Sequence, residues 1–223
     1  MKKGILGVSI TMAMILIFAV SVSIAADKKY SGFLGDSYGF LQPGPEGGVK
    51  ERYLKPGIDF GKYTAFMVDS VIFFMADDSE YKGIDPLEMK ELADAFNAEI
   101  LKAIEKAGYK VVVEPGPDVA RIRIAITKVK SSKPVVSGIT SIIPVGIVVS
   151  TIKRGATGSW SGSGSTGAEM MVLDSTTNDI IALAVDDRAA GFTERFSKWG
   201  SVNDAFKYWG DRLTKFLVAA KQK

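Results

Sequence analysis

A stretch of aliphatic, glycine, proline and serine residues at 134–167 separates two parts of the chain that resemble ordinary core sequence. Its first half is aliphatic but interrupted by Gly and Pro, and its second half is rich in Gly and Ser. This composition forms neither a long helix nor a regular strand, because glycine and proline interrupt both. We therefore interpret 131–167 as an insertion between two strands, and we expect function to reside there.

The composition restricts the chemistry that the chain can perform. Its 223 residues include no His and no Cys. These absences exclude a Ser-His-Asp triad, a thiolate nucleophile, the usual zinc sites and disulfides. The formal net charge of +3 shows no strong basic excess, so we expect no nucleic-acid partner. We predict that the protein is not an enzyme and has no catalytic, cofactor-binding or metal-binding residues.

The N-terminus has the pattern of a bacterial export signal. Lys2 and Lys3 precede an uncharged apolar stretch that ends with the small residues Ala25 and Ala26. This pattern predicts a signal peptide at 1–25, and hence a periplasmic or otherwise extracytoplasmic location. The stretch is also long enough to cross a bilayer, which takes about 20 apolar residues, so an N-terminal membrane anchor remains the alternative.

The mature chain divides into a strap and a domain. Residues 26–62 are rich in glycine and aromatic residues, and we expect them to form an N-terminal strap packed across the rest. Residues 63–223 form the α/β domain, which begins with a strand at 63–75. A helix follows, with Asp85 as its N-cap, Pro86 at its first position and Gly108 at its C-terminal end.

The remaining segments alternate as sheet strands and end in a helix. We predict strands at 109–113, 120–130, 168–174 and 180–186, the last two joined by a hairpin turn. In 120–130 the isoleucines face one way and Arg121 and Arg123 face the other. We interpret the arginine face as solvated, and the alternative is that the two arginines bind an anionic ligand. A second helix begins at an N-cap, Ser201. The order β-α-β-β-(insertion)-β-β-α predicts an α+β fold: a two-layer α/β sandwich whose mostly antiparallel sheet carries both helices on one face.

One motif inside the insertion resembles a nucleotide-binding loop. Gly162, Gly164 and Gly167 match the G-x-G-x-x-G fingerprint of dinucleotide-binding proteins. That fingerprint follows a strand and opens a helix, whose N-terminus holds the pyrophosphate. Here it opens a predicted strand, so we reject the nucleotide interpretation.

Short motifs spread over nearly the whole mature chain also carry a family resemblance. They are Ser31-Gly32-Phe33-Leu34, Asp36, Tyr38, Leu41, Pro43, Gly44, Tyr53, Pro56, Asp59, Tyr63, Glu169, Leu173-Asp174, Thr177, Asp186, Arg188, Gly191 and Trp199. In these positions the chain resembles an uncharacterised bacterial family, domain of unknown function 3313. The resemblance implies an exported protein of the cell envelope, and many members of the family are lipoproteins. This chain lacks the lipidated Cys, and the resemblance implies no activity.

The aliphatic half of the insertion carries the functional hypothesis. The eight large aliphatic residues from Ile139 to Ile152 would contribute about 12–24 kcal/mol if fully buried, which is close to the cost of ordering that segment. The insertion therefore needs a surface to lie on. We predict that 134–158 binds an unknown envelope protein or a second copy of the chain. The alternative is peripheral association with a membrane surface through the same segment, and a small-ligand binder or enzyme is a third class. The candidate interface residues are Ile139, Ile142, Ile143, Val145, Ile147, Val148, Val149, Ile152 and Trp160.

Overall fold

Strands and helices of the chain assemble into one sheet with helices on one face. The computed structural model describes residues 30–75, 84–129, 165–189 and 199–221. In these ranges eight strands form a single mixed sheet, joined by two α-helices and two short 3-10 helices at Gly35–Phe40 and Phe60–Lys62. The strands are β1 (Gln42–Pro43), β2 (Glu51–Leu54), β3 (Ala65–Val68), β4 (Ile72–Phe73), β5 (Lys110–Val112), β6 (Val119–Val129), β7 (Ser165–Asp174) and β8 (Ile180–Ala189), and the helices are α1 (Pro86–Lys106) and α2 (Gly200–Ala220).

The order of strands across the sheet is β1-β2-β8-β7-β6-β3-β5, and β4 also pairs with β6. The pairs β1/β2, β2/β8, β7/β8 and β6/β7 are antiparallel. The pairs β3/β5, β3/β6 and β4/β6 are parallel, and α1 supplies the crossover from β3 to β5. The predicted α+β class is confirmed.

Residues of the predicted strap pack on the sheet, and the same segment also adds β1 and β2 beyond β8. Two other details of the predicted architecture are wrong. The predicted strand at 63–75 is divided into β3 and β4, which pair with successive parts of β6. The insertion is three residues shorter than predicted, because β7 already begins at Ser165. The rest of the insertion, including every candidate interface residue, lies outside the described residues.

Helix α1 begins and ends where the sequence predicts. The Asp85 side chain accepts a hydrogen bond from the Leu87 amide at 2.8 Å, as an N-cap does. At the other end Gly108 has a φ of +76°, a conformation that favours glycine. Its amide donates to the Glu105 carbonyl, and the Tyr109 amide donates to the Ile104 carbonyl. These two bonds form a Schellman motif, which satisfies carbonyls at the end of the helix.

Helix α2 packs closely on α1. Phe96 and Phe206 stack at 4.4 Å between ring centroids. A Cβ at Gly210 would lie 3.1 Å from the Glu99 carbonyl oxygen, so glycine permits this close approach. Lys221 donates to the carbonyls of Ala107 and Gly108, and its charge therefore stabilises the end of α1.

The start of α2 differs from the prediction. Trp199, not Ser201, occupies the N-cap position, and it makes no side-chain cap hydrogen bond. Within the described ranges, neither helix has a run long and apolar enough to cross a bilayer.

Both faces of the central strands are covered. On one face α1 and α2 pack on a large apolar core that includes Ile122, Ile124 and Ile126. On the other face residues 30–41 lie over a smaller cluster, which consists of Leu34, Met171, Leu173 and Leu183. The strap therefore covers the face that α1 and α2 leave open.

Candidate functional site

A buried carboxylate fastens the strap to the middle of the sheet. Glu169 in β7 is 2% exposed. Its Oε1 accepts a hydrogen bond from the Ser31 amide at 3.0 Å, and its Oε2 accepts one from the Tyr38 hydroxyl at 2.6 Å. The Tyr38 oxygen accepts in turn from the amides of Gly32 and Leu34. We call Ser31, Tyr38 and Glu169 the strap latch.

The Tyr38 hydroxyl of the strap latch stays protonated near neutral pH. Burial, followed by the hydrogen bond to Glu169, raises the pKa of Tyr38 to about 12. The phenol therefore donates to the carboxylate at any pH near neutrality. The ring of Tyr30 stacks on that of Tyr38 at 4.2 Å between centroids. This arrangement is a structural fastening, because the carboxylate and the phenol are both engaged by neighbours within the fold.

A second carboxylate organises the turn between β7 and β8. Asp174 accepts hydrogen bonds from Lys62 Nζ and Tyr63 Oη, both at 3.0 Å. It also accepts from the amides of Thr176 and Thr177, both at 3.1 Å. The hydrogen bond from Lys62 contributes most to a pKa for Asp174 well below the usual range for a carboxyl group. Asp174 thus ties the hairpin to the chain just before β3.

The two arginines of β6 face a carboxylate. Asp69 accepts a bidentate pair of hydrogen bonds from Arg121, both at 2.8 Å. Arg123 lies 3.6 Å from the same carboxylate. Sequence alternation placed Arg121 and Arg123 on the correct face, but interpreting them as solvent-facing was incomplete. Their charge is partly neutralised by Asp69, so they are a weak site for an external anion.

The insertion leaves the sheet between two neighbouring strands. Val129 at the end of β6 pairs with Thr166 near the start of β7, and Ser165 pairs with Ala189 at the end of β8. Strand β4 runs parallel to β6 and so ends on the same side. The segments 76–83, 130–164 and 190–198 therefore all begin or end at one end of the sheet, which we call the insertion end.

A cavity of about 350 Å³ lies between the sheet and α2. Small side chains on β7 and β8 make room for it, namely Ala168, Ala182 and Ala184. Apolar residues from every surrounding element complete its walls, among them Leu54, Phe66, Ile100, Ile122, Met170, Leu213 and Phe216. The size is within the range of small-molecule sites, about 300–1,000 Å³. We call this space the α2 cavity.

Three cations of the lining lie where the α2 cavity reaches the surface. Arg52 on β2 and Arg212 on α2 are half-buried, and Lys215 on α2 is exposed. Arg52 lies on the helix-facing side of the sheet, since it pairs with Ala184 of the cavity floor. Among the described residues, no carboxylate lies within ion-pair distance of these three side chains.

One carboxylate, Asp186, belongs to the described lining of the same cavity. Asp186 accepts hydrogen bonds from Trp209 Nε1 at 2.7 Å and from the Lys50 amide at 3.1 Å. Burial raises the pKa of Asp186 above the usual range, although these hydrogen bonds oppose the effect. A perturbed carboxylate in a cavity is a common feature of functional sites, and it also occurs in structural networks.

The α2 cavity was not predicted from the sequence. Its residues come from segments far apart in the chain, and its cations are single residues in ordinary amphipathic elements. One signal was available: in the segment 180–186, alanine occupies two successive positions on one face of the strand. Small residues on the core-facing side of a strand indicate reduced packing there.

The described residues contain no group of three or more Asp or Glu side chains positioned to hold a metal ion. The last glycine of the G-x-G-x-x-G match, Gly167, lies in β7, where it pairs with Lys128 and Asp187. Gly162 and Gly164 are outside the described residues.

Fold and contacts together define a two-layer α+β domain whose outer sheet face is covered by a latched N-terminal strap. The chain belongs to the family described as Protein of unknown function (DUF3313), whose profile matches residues 29–213. The resemblance seen in the sequence is thereby confirmed. Among curated proteins, none matches the chain.

The residues that carry the family resemblance cluster in the contacts described above. Tyr38 and Glu169 form the strap latch. Tyr63, Asp174 and Thr177 meet at the β7–β8 turn. In the described part of the chain, the family motifs therefore mark the contacts that join the strap and the turns to the sheet.

Several solved structures are similar to the chain at low identity. The PelC dodecamer from Paraburkholderia phytofirmans has a TM-score of 0.39 at 8% identity, covering 75% of this chain and 94% of that one. Protein XCC0632 from Xanthomonas campestris has a TM-score of 0.42 at 9% identity, covering 76% and 91%. The hypothetical protein CT253 from Chlamydia trachomatis has a TM-score of 0.35 at 14% identity, covering 70% and 94%. Likenesses at these TM-scores support no statement about function or assembly.

Proposed function

We propose that the chain is an exported, non-enzymatic protein of the cell envelope that binds another protein, or a second copy of itself, through the insertion at 134–158. The observation that carries this proposal is the pairing of Val129 with Thr166. Antiparallel neighbours of this kind need a connection of only two to five residues. The long connection at 130–164 is therefore not required to close the sheet.

The sequence of that connection supports binding. A long loop between two paired strands costs little extra closure entropy, so it is tolerated without contributing to the fold. A loop that is merely tolerated has no reason to be apolar, yet eight large aliphatic residues lie between 139 and 152. Apolar segments of this kind mark interaction surfaces in proteins. The absence of His and Cys from the chain supports a role without catalysis.

Two variants of the insertion test the proposal. The first replaces the eight aliphatic residues with serine and so preserves the length of the connection, and the second deletes 138–158. Because the strand pairing does not depend on the insertion, we expect both variants to fold with an unfolding midpoint close to that of the wild type. We expect both to lose the partners that the wild type recovers from envelope extracts.

Light scattering on the same proteins separates the two kinds of partner. Loss of a dimer or larger assembly in both variants assigns the insertion to self-association. An unchanged mass with altered pull-downs assigns it to another protein. Recovery of the same partners by all three proteins at an unchanged mass would contradict the proposal.

A peripheral membrane role is the second candidate. It is favoured by the direction in which the strap runs across the sheet. Ser31 meets Glu169 in the half of β7 nearer the insertion end. Leu34 then packs with Met171 and Leu173, farther from that end. The strap thus runs away from the insertion end, so a leader retained as an anchor would hold this end toward the membrane. Lys153 and Arg154 after the aliphatic run would suit an anionic surface.

Flotation with anionic liposomes tests the membrane role. Both proteins are produced without residues 1–25, so that a retained leader cannot anchor them. The wild type is then expected to float, and the variant lacking 138–158 is expected to stay at the bottom. Substituting Lys153 and Arg154 with glutamine is expected to make flotation weaker on anionic liposomes. Equal flotation of the wild type and the deletion variant would rule out the insertion as the membrane contact.

A further inference from the structure

We infer that the α2 cavity binds a single-chain anionic amphiphile, with its alkyl chain inside and its anionic head at the opening between β2 and α2. This inference goes beyond the proposed function, because it rests on described residues of the strands, helices and turns, all of them outside the insertion. It rests on three observations: the apolar interior, the cations at the opening and the contacts that hold the opening in place.

The interior suits an alkyl chain better than water. At about 30 Å³ per molecule, the cavity volume corresponds to roughly twelve waters. Buried water needs two to four polar partners per molecule. The floor offers alanine and aliphatic side chains instead, in successive rows across the sheet. One row is Leu54, Ala182, Val172 and Ile122, and the next is Arg52, Ala184, Met170 and Ile124. The alanines leave space that longer aliphatic side chains would fill.

Two contacts between α2 and the β2 region flank the opening. At one side the Tyr208 hydroxyl lies 3.4 Å from the Gly47 carbonyl oxygen, in the turn before β2. At the other side Phe216 packs edge-on against Phe60, with 5.5 Å between ring centroids. Arg212 and Lys215 are placed between these contacts along α2. These two contacts fix the separation of α2 and the β2 region at both ends of the opening. Between them, α2 contributes Arg212 and Lys215 to the opening.

The cations at the opening suit an anionic head. Arg212 lies 4.9 Å from the ring centroid of Tyr208, which orients the guanidinium without neutralising it. Arg52 approaches from the opposite side, on β2, so a carboxylate or phosphate between the two would meet guanidinium groups from both. Arginine binds such oxyanions through paired N–H groups.

Asp186 is the one carboxylate among the described lining residues. Its oxygens are already engaged by Trp209 and the Lys50 amide. An anionic head beside it would be repelled, so we place the head next to Arg52, Arg212 and Lys215. The other titratable side chains in the lining are Tyr63 and Tyr109, both buried, and the cations Arg52, Arg212 and Lys215.

Displacement of a fluorescent fatty acid, dansyl-labelled undecanoic acid, tests the inference on the purified full chain. Decanoate and a single-chain lysophosphatidate compete in separate arms, and the stronger competitor shows whether the head is a carboxylate or a lipid phosphate. Decanol has the alkyl chain of decanoate without its charge. We expect it to compete about fivefold to tenfold less well, which is the effect of one charge-assisted contact.

Three variants separate the head from the chain. Arg52→Gln and Arg212→Gln are each expected to weaken decanoate about fivefold to tenfold and to leave decanol unchanged. Ala184→Leu fills the cavity floor and is expected to abolish binding of both, while its circular dichroism and unfolding midpoint report that the fold is intact. Lys207→Gln, an exposed cation of α2 outside the cavity, serves as the matched control and is expected to bind like the wild type.

Failure of the wild type to bind the labelled fatty acid would overturn the inference. So would competition by decanol equal to that by decanoate together with unchanged binding in both arginine variants. Retained binding in a folded Ala184→Leu protein would place the ligand elsewhere and would overturn it as well.

Discussion

Glu169→Ala is expected to lower the free energy of unfolding by about 3–5 kcal/mol. The substitution removes the acceptor of two hydrogen bonds, from the Ser31 amide and the Tyr38 hydroxyl. Each bond to a charged group contributes about 1.5–3 kcal/mol. Truncation also opens a cavity between the strap and β7, because Glu169 is 2% exposed. Urea denaturation measures the change, and proteolysis at 30–41 is expected to accelerate as the strap loosens.

Two further variants show whether the effect comes from the strap latch. Tyr38→Phe keeps the ring and removes its oxygen, and it is expected to cost about 2–3 kcal/mol. Because both residues share one hydrogen bond, the double variant is expected to lose less than the sum of the two single changes. Glu91→Ala, at an exposed position of α1, is the matched control and is expected to change stability by less than about 0.5 kcal/mol. A Glu169→Ala protein within about 1 kcal/mol of the wild type, a margin below the usual cost of one such bond, would refute a stabilising latch.

Asp174→Ala is expected to lower the free energy of unfolding by about 2–4 kcal/mol at neutral pH. The substitution leaves the Tyr63 hydroxyl and the Thr176 and Thr177 amides without their acceptor. The Lys62 ion pair contributes less, because its ammonium group is well exposed and screened by solvent. Urea midpoints at pH 7 for the wild type and the variant measure the difference.

The same carboxylate makes stability depend on pH. Its folded pKa is lower than the unfolded value of 3.8, so the folded state binds fewer protons in that range. The stabilisation is therefore fully present above about pH 5 and is lost as the pH falls through about 4 and below. Asp174→Asn is expected to lose less stability than the wild type between about pH 5 and about pH 2.5. Parallel profiles for the wild type and the Asp174→Asn variant would contradict this assignment.

Capping residues, apolar stripes and strand alternation predicted the helices and strands of the domain, because each of these patterns depends on residues close together in the chain. Asp85, Pro86 and Gly108 define α1 through bonds within a few residues, and the structure places its ends there. The apolar stripe of α2 was likewise correct, although the start of the helix was predicted too late in the chain. The alternation in 120–130 identified the core face of β6 through Ile122, Ile124 and Ile126.

Features that depend on distant pairing were not predictable in this way. Strand β2 is four residues long, and only its pairing with β8 makes it a strand. Nothing near Arg121 in the sequence indicates that Asp69 faces it, and nothing near Glu169 indicates Tyr38. The α2 cavity depends on missing volume at Ala168, Ala182 and Ala184, and sequence patterns report which side chains are apolar far better than how well they fill space.

The two outermost strands of the sheet have a consequence for aggregation. An open sheet exposes unpaired N–H and C=O groups at its edges, and a long exposed edge serves as a template for strand-to-strand polymerisation. Here β1 is two residues long and ends in Pro43, which has no N–H to donate, and β5 at the other edge is three residues long and begins with a lysine. In the described part of the chain, both edges therefore disfavour fibre growth by strand addition, and a second copy that binds there would dock through side chains rather than by extending the sheet.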